Sequence, residues 1–152
     1  MIVKAGPSHI ISVCKHIRAD DLREISETRW SDDDPAVSLF HAPGGKYAIV
    51  HDDVTVALLG VVPVWPGVGQ AWLIATPEVG TYGVEVMKAS KRIIKTLLDL
   101  EMHRIHAYSA AFHSQAHRWL ELIGFRREST LKQYGKTGED FYCYAITRPV
   151  SQ

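Results

Sequence analysis

The sequence predicts a single α+β domain built on a mixed sheet, and three observations carry that prediction. Strand-like and amphipathic helical stretches follow one another as strand, two helices, three strands, helix, strand, helix, two strands. The chain of 152 residues is long enough for one continuous core and too short for two comfortable ones, so residues 1–152 read as one domain. The third observation is the stretch His113 to Glu128, which reads as a short helix closed by Gly-Phe. Ala116, Trp119, Leu120 and Ile123 share one helical face, Gly124 sits where a left-handed C-cap is wanted, and Phe125 leads into a strand.

Taken in order, Ile2–Ala5 is a short strand, and Gly6-Pro7-Ser8 ends it, with Ser8 able to cap a helix from His9. Ile10, Val13, Cys14 and Ile17 fall on the inner side of that helix. Asp20-Asp21 starts a second helix through Trp30, with Leu22 and Ile25 inward and Arg23, Glu24 and Glu27 in solvent. A loop from about Trp30 to Lys46 follows, carrying Asp32-Asp33-Asp34-Pro35 and Pro43-Gly44-Gly45. Lys46–Val50 and Val54–Val64 are rich in β-formers and read as a hairpin across His51-Asp52-Asp53. Gln70–Thr76 is a further strand, and Pro77–Gly83 is a loop into a long helix from about Val84 to Met102, buried through Val86, Ile93, Ile94 and Leu97. Arg104–Ser109 is a strand before the Gly-Phe helix. Arg126–Tyr134 and Phe141–Thr147 pair as a last hairpin across Gly135–Gly138.

Composition narrows the function classes. Lys plus Arg and Asp plus Glu both number 17, so no global field draws the chain to nucleic acid or to an anionic membrane. Cys14 and Cys143 lack metal-type spacing and read as reduced thiols of a cytoplasmic protein, and no run approaches membrane-spanning length. His113 and His117 lie at i, i+4 near His103 and His106, but without an intervening Glu or a clear third ligand they predict no metal site. Lys88, Lys91, Arg92 and Lys95 form a helical stripe that reads as a solvated face, and Trp65, Trp72 and Trp119 read as core or pocket walls.

Two stretches resemble the GNAT superfamily of N-acetyltransferases. Ala75-Thr76-Pro77-Glu78 resembles the strand end that leads into that family's pyrophosphate loop, and the helix closed by Gly124-Phe125 resembles the one that packs beside acetyl-CoA. The resemblance implies a mixed, mostly antiparallel sheet of six to seven strands flanked by about four helices, with acetyl-CoA as co-substrate and an amine or protein amino group as acceptor. It places Ile74, Ala75, Thr76, Gly80, Tyr82, Gly83, Val84, Lys88, His113 and His117 against the cofactor. Glycines there would let the backbone approach phosphate, while orphan amides and the helix dipole would hold its charge.

The pattern departs from the family at two places. Aligned on Pro77-Glu78, Gly83 matches the loop's first glycine, but Gly80 stands where Gln or Arg is usual and Glu85 where Gly or Ala is usual. A carboxylate there would repel pyrophosphate unless it complements the helix dipole and points away. The tyrosine that many members use to protonate departing thiolate is Leu120 here, which leaves Tyr108, Tyr134, Tyr142, His113 or His117 as substitutes. For removing the ammonium proton, Glu78 is the first candidate by its position at a strand end, and His106 is the second.

Trp72–Glu78 and His117-Arg118-Trp119-Leu120 through Gly-Phe also resemble GNAT-like proteins of tailed bacteriophages. The leading reading is a phage-encoded N-acetyltransferase of the host cytoplasm, acting by direct attack of an amine on the thioester. Its rival is a GNAT fold without catalysis, serving in the virion or binding host proteins. The basic stripe motivates a third reading, nucleic-acid binding, but no aromatic motif supports it. The oligomeric state is left open, a homodimer being one arrangement.

Overall fold

In the computed structural model, which describes residues 1–29 and 33–150, one seven-stranded sheet runs through the molecule in the order β1-β2-β3-β4-β5-β7-β6. Its strands are β1 (Ile2–Lys4), β2 (Gly45–His51), β3 (Val54–Trp65), β4 (Val68–Ala75), β5 (Arg104–Ala110), β6 (Arg126–Leu131) and β7 (Phe141–Thr147). The described residues also form five helices: α1 (Pro7–Lys15), α2 (Ala19–Glu27), α3 (Pro35–His41), α4 (Val79–Leu100) and α5 (Ser114–Leu122). All neighbouring strands are antiparallel except β4 and β5, so the α+β class with a mixed, mostly antiparallel sheet holds.

The helices divide between the two faces of the sheet. On one face Val86, Ile93, Ile94 and Leu98 of α4, with Leu120 and Ile123 of the α5 region, pack on Ile49, Ala57, Leu59, Ile105 and Tyr144. On the other, Ile10 and Val13 of α1 pack on Ala48, Leu58 and Ile74. At the end of α5 the N–H of Phe125 donates to Leu120 C=O at 2.9 Å and that of Gly124 to Glu121 C=O at 3.1 Å. This is a Schellman closure, and the φ of +109° at Gly124 explains the glycine.

Several expected boundaries shift for identifiable reasons. The helix expected from His9 begins at Pro7, with Gly6 rather than Ser8 as its cap, because the Gly6 N–H donates to His9 Nδ1 at 2.9 Å and proline suits the first helical position. The stretch expected as a loop contains α3, started by Asp34 accepting the Ala36 N–H at 3.0 Å and by Pro35. The second helix, expected through Trp30, ends at Glu27, because Thr28 leaves the helical conformation as its C-cap; Trp30 and Asp32 lie outside the described residues. Pro77–Gly83 is not a loop: α4 starts at Val79 and bends at Tyr82, whose φ of −106° and ψ of 22° are non-helical. Trp65 is 65 % exposed at the β3–β4 turn and walls nothing.

Both cysteines are free, and burial, then Asp34, pushes the Cys14 thiol up to about 11. The indole of Trp72 on β4 lies against Gly60 of β3. A Cβ at Gly60 would fall 2.3 Å from the indole, so Gly60→Val is expected to cost about 1–3 kcal/mol by overpacking, read from a lower urea midpoint at unchanged m.

Candidate functional site

The site begins where β4 and β5 part. These parallel strands pair only from Val68–Gln70 to Arg104–His106, and beyond that β4 runs on to Ala75 and β5 to Ala110 with a gap between them. Backbone polar groups at such a gap require partners. Helix α2 supplies them at the open end: Asp21 Oδ2 accepts the Ala75 N–H at 2.8 Å, the Arg18 N–H donates to the Ala75 carbonyl at 2.8 Å, and Glu24 accepts the Ala110 N–H. One step further along the same helix, Glu27 accepts the Thr137 N–H at 3.0 Å and holds the β6–β7 turn.

The spacing of Asp21, Glu24 and Glu27 puts all three on one face of α2, and each meets a different strand end or turn. The result is a window through the sheet, framed by β4, β5 and α2. Because backbone direction alternates along a strand, Leu73 and Tyr108, two residues before Ala75 and Ala110, turn their own N–H and C=O groups into the window.

A cleft of about 1310 Å³ occupies this window and is lined by residues from both faces of the sheet. Its α4/α5 half is walled by Gly80, Gly83, Val84, Met87, Ala116 and Trp119, and its other half by Ile25, Leu39, Trp72, Tyr108, Tyr134 and Phe141. Added Cβ atoms at Gly80 and Gly83 would meet nothing within 4 Å, so the start of α4 borders open space wide enough for a ligand.

The window's two acids are tuned apart. Asp21, 3 % exposed, is opposed by burial but held as carboxylate by His113, whose Nε2 lies 2.6 Å from Oδ1, and by Arg18 at 2.8 Å. These partners outweigh desolvation and bring its pKa below the ordinary value. Glu24 goes the other way: burial raises its carboxyl, against the pull of the Ala110 amide and nearby His113. Burial and partners thus drive two neighbouring acids in opposite directions.

The expected site residues divide. Ile74, Gly80, Gly83, Val84, His113, Tyr108 and Tyr134 line the cleft, the last two stacked with centroids 5.8 Å apart. Ala75 is committed to Asp21 and Arg18, and the Thr76 hydroxyl donates to Val56 C=O at 3.1 Å. Tyr82 turns outward to stack on His51 at 4.1 Å, and Lys88 is exposed beside it. His117 is turned to the Ala110 carbonyl at 2.9 Å, outside the cleft wall. Neither expected base faces the cleft. Glu78 is an exposed residue at the start of α4 whose carboxyl is lowered by the Thr76 hydroxyl and its own backbone amide, which weakens it as a base. His106 sits at the closed end of the window, where Arg104 Nε donates to its Nδ1 at 3.3 Å.

Glu85 points away from the cleft. It pairs with His51 at 2.9 Å and with the Met1 amino group at 3.0 Å, so its charge does not enter the ligand space. Among the described residues, no group of three His, Cys, Asp or Glu side chains is placed to hold a metal ion, and no helix is long and apolar enough to cross a membrane.

Sequence reading missed Arg18, Asp21 and Glu24, and it put Leu22 inward where it is 41 % exposed. The available signal was the i, i+3, i+6 spacing of three acids beside an arginine.

No family model and no curated protein matches the chain. Solved structures do match along nearly its whole length. An acetyltransferase of the GNAT family from Bacillus anthracis superposes with a TM-score of 0.75 at 20 % identity, covering 96 % of this chain and 93 % of its own. The ribosomal-protein-S18-alanine N-acetyltransferase of Escherichia coli gives 0.74 at 14 %, covering 100 % and 96 %. A spermidine N-acetyltransferase variant from Vibrio cholerae gives 0.73 at 13 %, covering 97 % and 94 %. The chain therefore has the GNAT-like fold, and none of these three is described as a bacteriophage protein.

Proposed function

We propose that the chain is an acyl-CoA-dependent N-acetyltransferase that joins its two substrates inside the window. The observation that carries this reading is the framed gap between β4 and β5, filled by one cleft lined from both faces of the sheet and bordered by unpaired strand edges. An extended thioester fits the α4/α5 half, where Gly80 and Gly83 leave room and the strand edge at Leu73 offers a hydrogen-bonding partner. An amine entering from the α2/α3 half meets the thioester carbonyl at the window.

The chemistry requires a neutral amine, a polarised carbonyl and a departing thiol. The Leu73 N–H is placed to donate to a carbonyl in the gap. The amine attacks the carbonyl carbon, the C–N bond forms, the C–S bond breaks, and sulfur takes the remaining extra proton from nitrogen as it leaves. Leu120, 3 % exposed in the core, contributes no proton, and direct transfer from nitrogen removes the need for one.

Isothermal titration with acetyl-CoA tests this reading. Saturable one-to-one binding is expected, followed by thiol release on adding an amine. No heat at high acetyl-CoA concentration overturns it. One observation favours the non-catalytic rival, whether phage-borne or not. The first-turn amides of α4 at Val79, Gly80, Thr81 and Tyr82 already donate to Thr76, Pro77 and Glu78 carbonyls, which leaves them unavailable to pyrophosphate while the turn stays wound.

A further inference from the structure

We infer that the α2/α3 half of the cleft takes a monoamine carried on an aromatic or apolar body, and that Glu24 receives the proton of its ammonium group. The inference rests on the acyltransferase reading and adds to it an acceptor class and a base.

The first argument is the wall. Trp72, Tyr108, Tyr134, Phe141 and Leu39 line this half, and the aromatic members support one another: Tyr134 stacks on Tyr108, and its ring meets Phe141 edge-on at 5.4 Å. Such a wall removes apolar surface from water and offers ring faces to a nearby cation.

The second argument is charge. Asp21 is already matched by His113 and Arg18, and Glu27 is turned to Thr137. Glu24 meets the Ala110 N–H with the buried Ser109 hydroxyl beside it, and among the described residues it forms no ion pair. Of the two carboxylates that line the cleft among the described residues, Glu24 is thus the one available to an arriving ammonium group. Among the described residues Arg18, Arg29 and Arg118 also line the cleft, against Asp21 and Glu24, so cations outnumber acids in this described lining. A polyamine would bring a second and third positive charge, and among the described lining residues no further carboxylate is left to meet them. A single amine needs only Glu24.

The proton balance is simple. The ammonium group gives one proton to the Glu24 carboxylate and becomes the neutral nucleophile; C–N formation and C–S cleavage follow, and the Glu24 carboxyl returns its proton to water. A base whose pKa is raised toward the working pH suits this exchange. The groups facing Glu24 that shape its titration are Asp21 on its own helix, His113 at the start of α5 and Ser109 with Ala110 at the end of β5.

The test uses the whole chain with acetyl-CoA and three acceptors: phenethylamine, spermidine and an alanine-ended peptide. Thiol release should show kcat/KM for phenethylamine at least about tenfold above the other two. E24Q, which keeps a hydrogen-bond acceptor for Ala110, should lose about 10²–10⁴-fold in kcat and flatten the acidic limb of the pH–rate profile, while calorimetric acetyl-CoA affinity stays unchanged. E24D should regain part of the rate. Because Tyr134 is 49 % exposed, Y134A should fold normally and weaken phenethylamine binding alone. Preference for spermidine or the peptide overturns the acceptor class, and an E24Q rate and pH profile equal to wild type overturn the base. Failure of the unaltered chain to bind acetyl-CoA overturns the underlying reading instead.

Discussion

Asp21→Ala is expected to lower the unfolding free energy by about 3–5 kcal/mol, because removing one member of a buried charged network leaves the others uncompensated. Asp21 is 3 % exposed and accepts from Arg18, His113 and the Ala75 N–H, so its loss strands donors on α2, α5 and β4 together. By contrast, Lys95→Ala on the exposed Lys95–Asp99 pair should change stability by less than about 1 kcal/mol. The pH dependence has a definite sign. With its folded pKa depressed, Asp21 stabilises fully above its unfolded value near ~3.9 and loses that contribution as pH falls through the lower folded value. Urea denaturation at neutral and acidic pH should therefore show the deficit of D21A narrowing as the solution is acidified. A constant deficit would mean that the aspartate acts through packing alone.

Glu24 has the opposite sign. Its folded pKa is raised, so the native state binds the proton more tightly, and a destabilising contribution grows as pH rises from the unfolded value near ~4.3 through the folded one. The two acids stand one helical turn apart and differ in what faces them: Asp21 has the Arg18 guanidinium and the His113 ring, Glu24 an amide. A frame that stabilises one acid and strains its neighbour is the trade expected at a site where reactivity is kept at the expense of stability.

Much of the fold was legible because it depends on local chemistry. The glycine at position 124 and the apolar pair Leu120 and Phe125 specify the Schellman end of α5, and the runs of β-formers in β2 and β3 specify their hairpin. Helix α3 was not read: the run of acids and glycines around it read as loop, although Asp34-Pro35 supplies its cap and first residue. The inward face of α2 could not be read in this way. Periodicity assigns carboxylates to water, whereas here Asp21, Glu24 and Glu27 turn inward to meet amides at Ala75, Ala110 and Thr137, residues 54, 86 and 110 positions away. The amides of Ala75 and Ala110 are orphaned by the parting of β4 and β5, and that of Thr137 lies in the β6–β7 turn, so none of these meetings is contained in a window of sequence. The position of Glu78 has the same origin: a strand end marks the neighbourhood of the cleft, but the carboxylates that line it, Asp21 and Glu24, come from another element.

Gly83→Leu separates the ligand space from the fold. Gly83 is half-buried on the cleft wall, its φ lies outside the left-handed region, and a Cβ there would touch nothing within 4 Å. Leucine is a far better helix former than glycine, by about 0.8–1 kcal/mol on peptide scales, so the substitution should raise the melting temperature by several degrees. The same side chain projects into the space assigned to the thioester and should weaken acetyl-CoA binding by more than about tenfold, read by calorimetry on the folded variant. Gain of stability with loss of binding is the signature of a glycine kept for the ligand's sake. Were the variant more stable and acetyl-CoA binding unchanged, the start of α4 would not be the acyl-donor wall. The thioester would then have to enter over another edge of the window, and the wound first turn of α4 would be a purely structural feature.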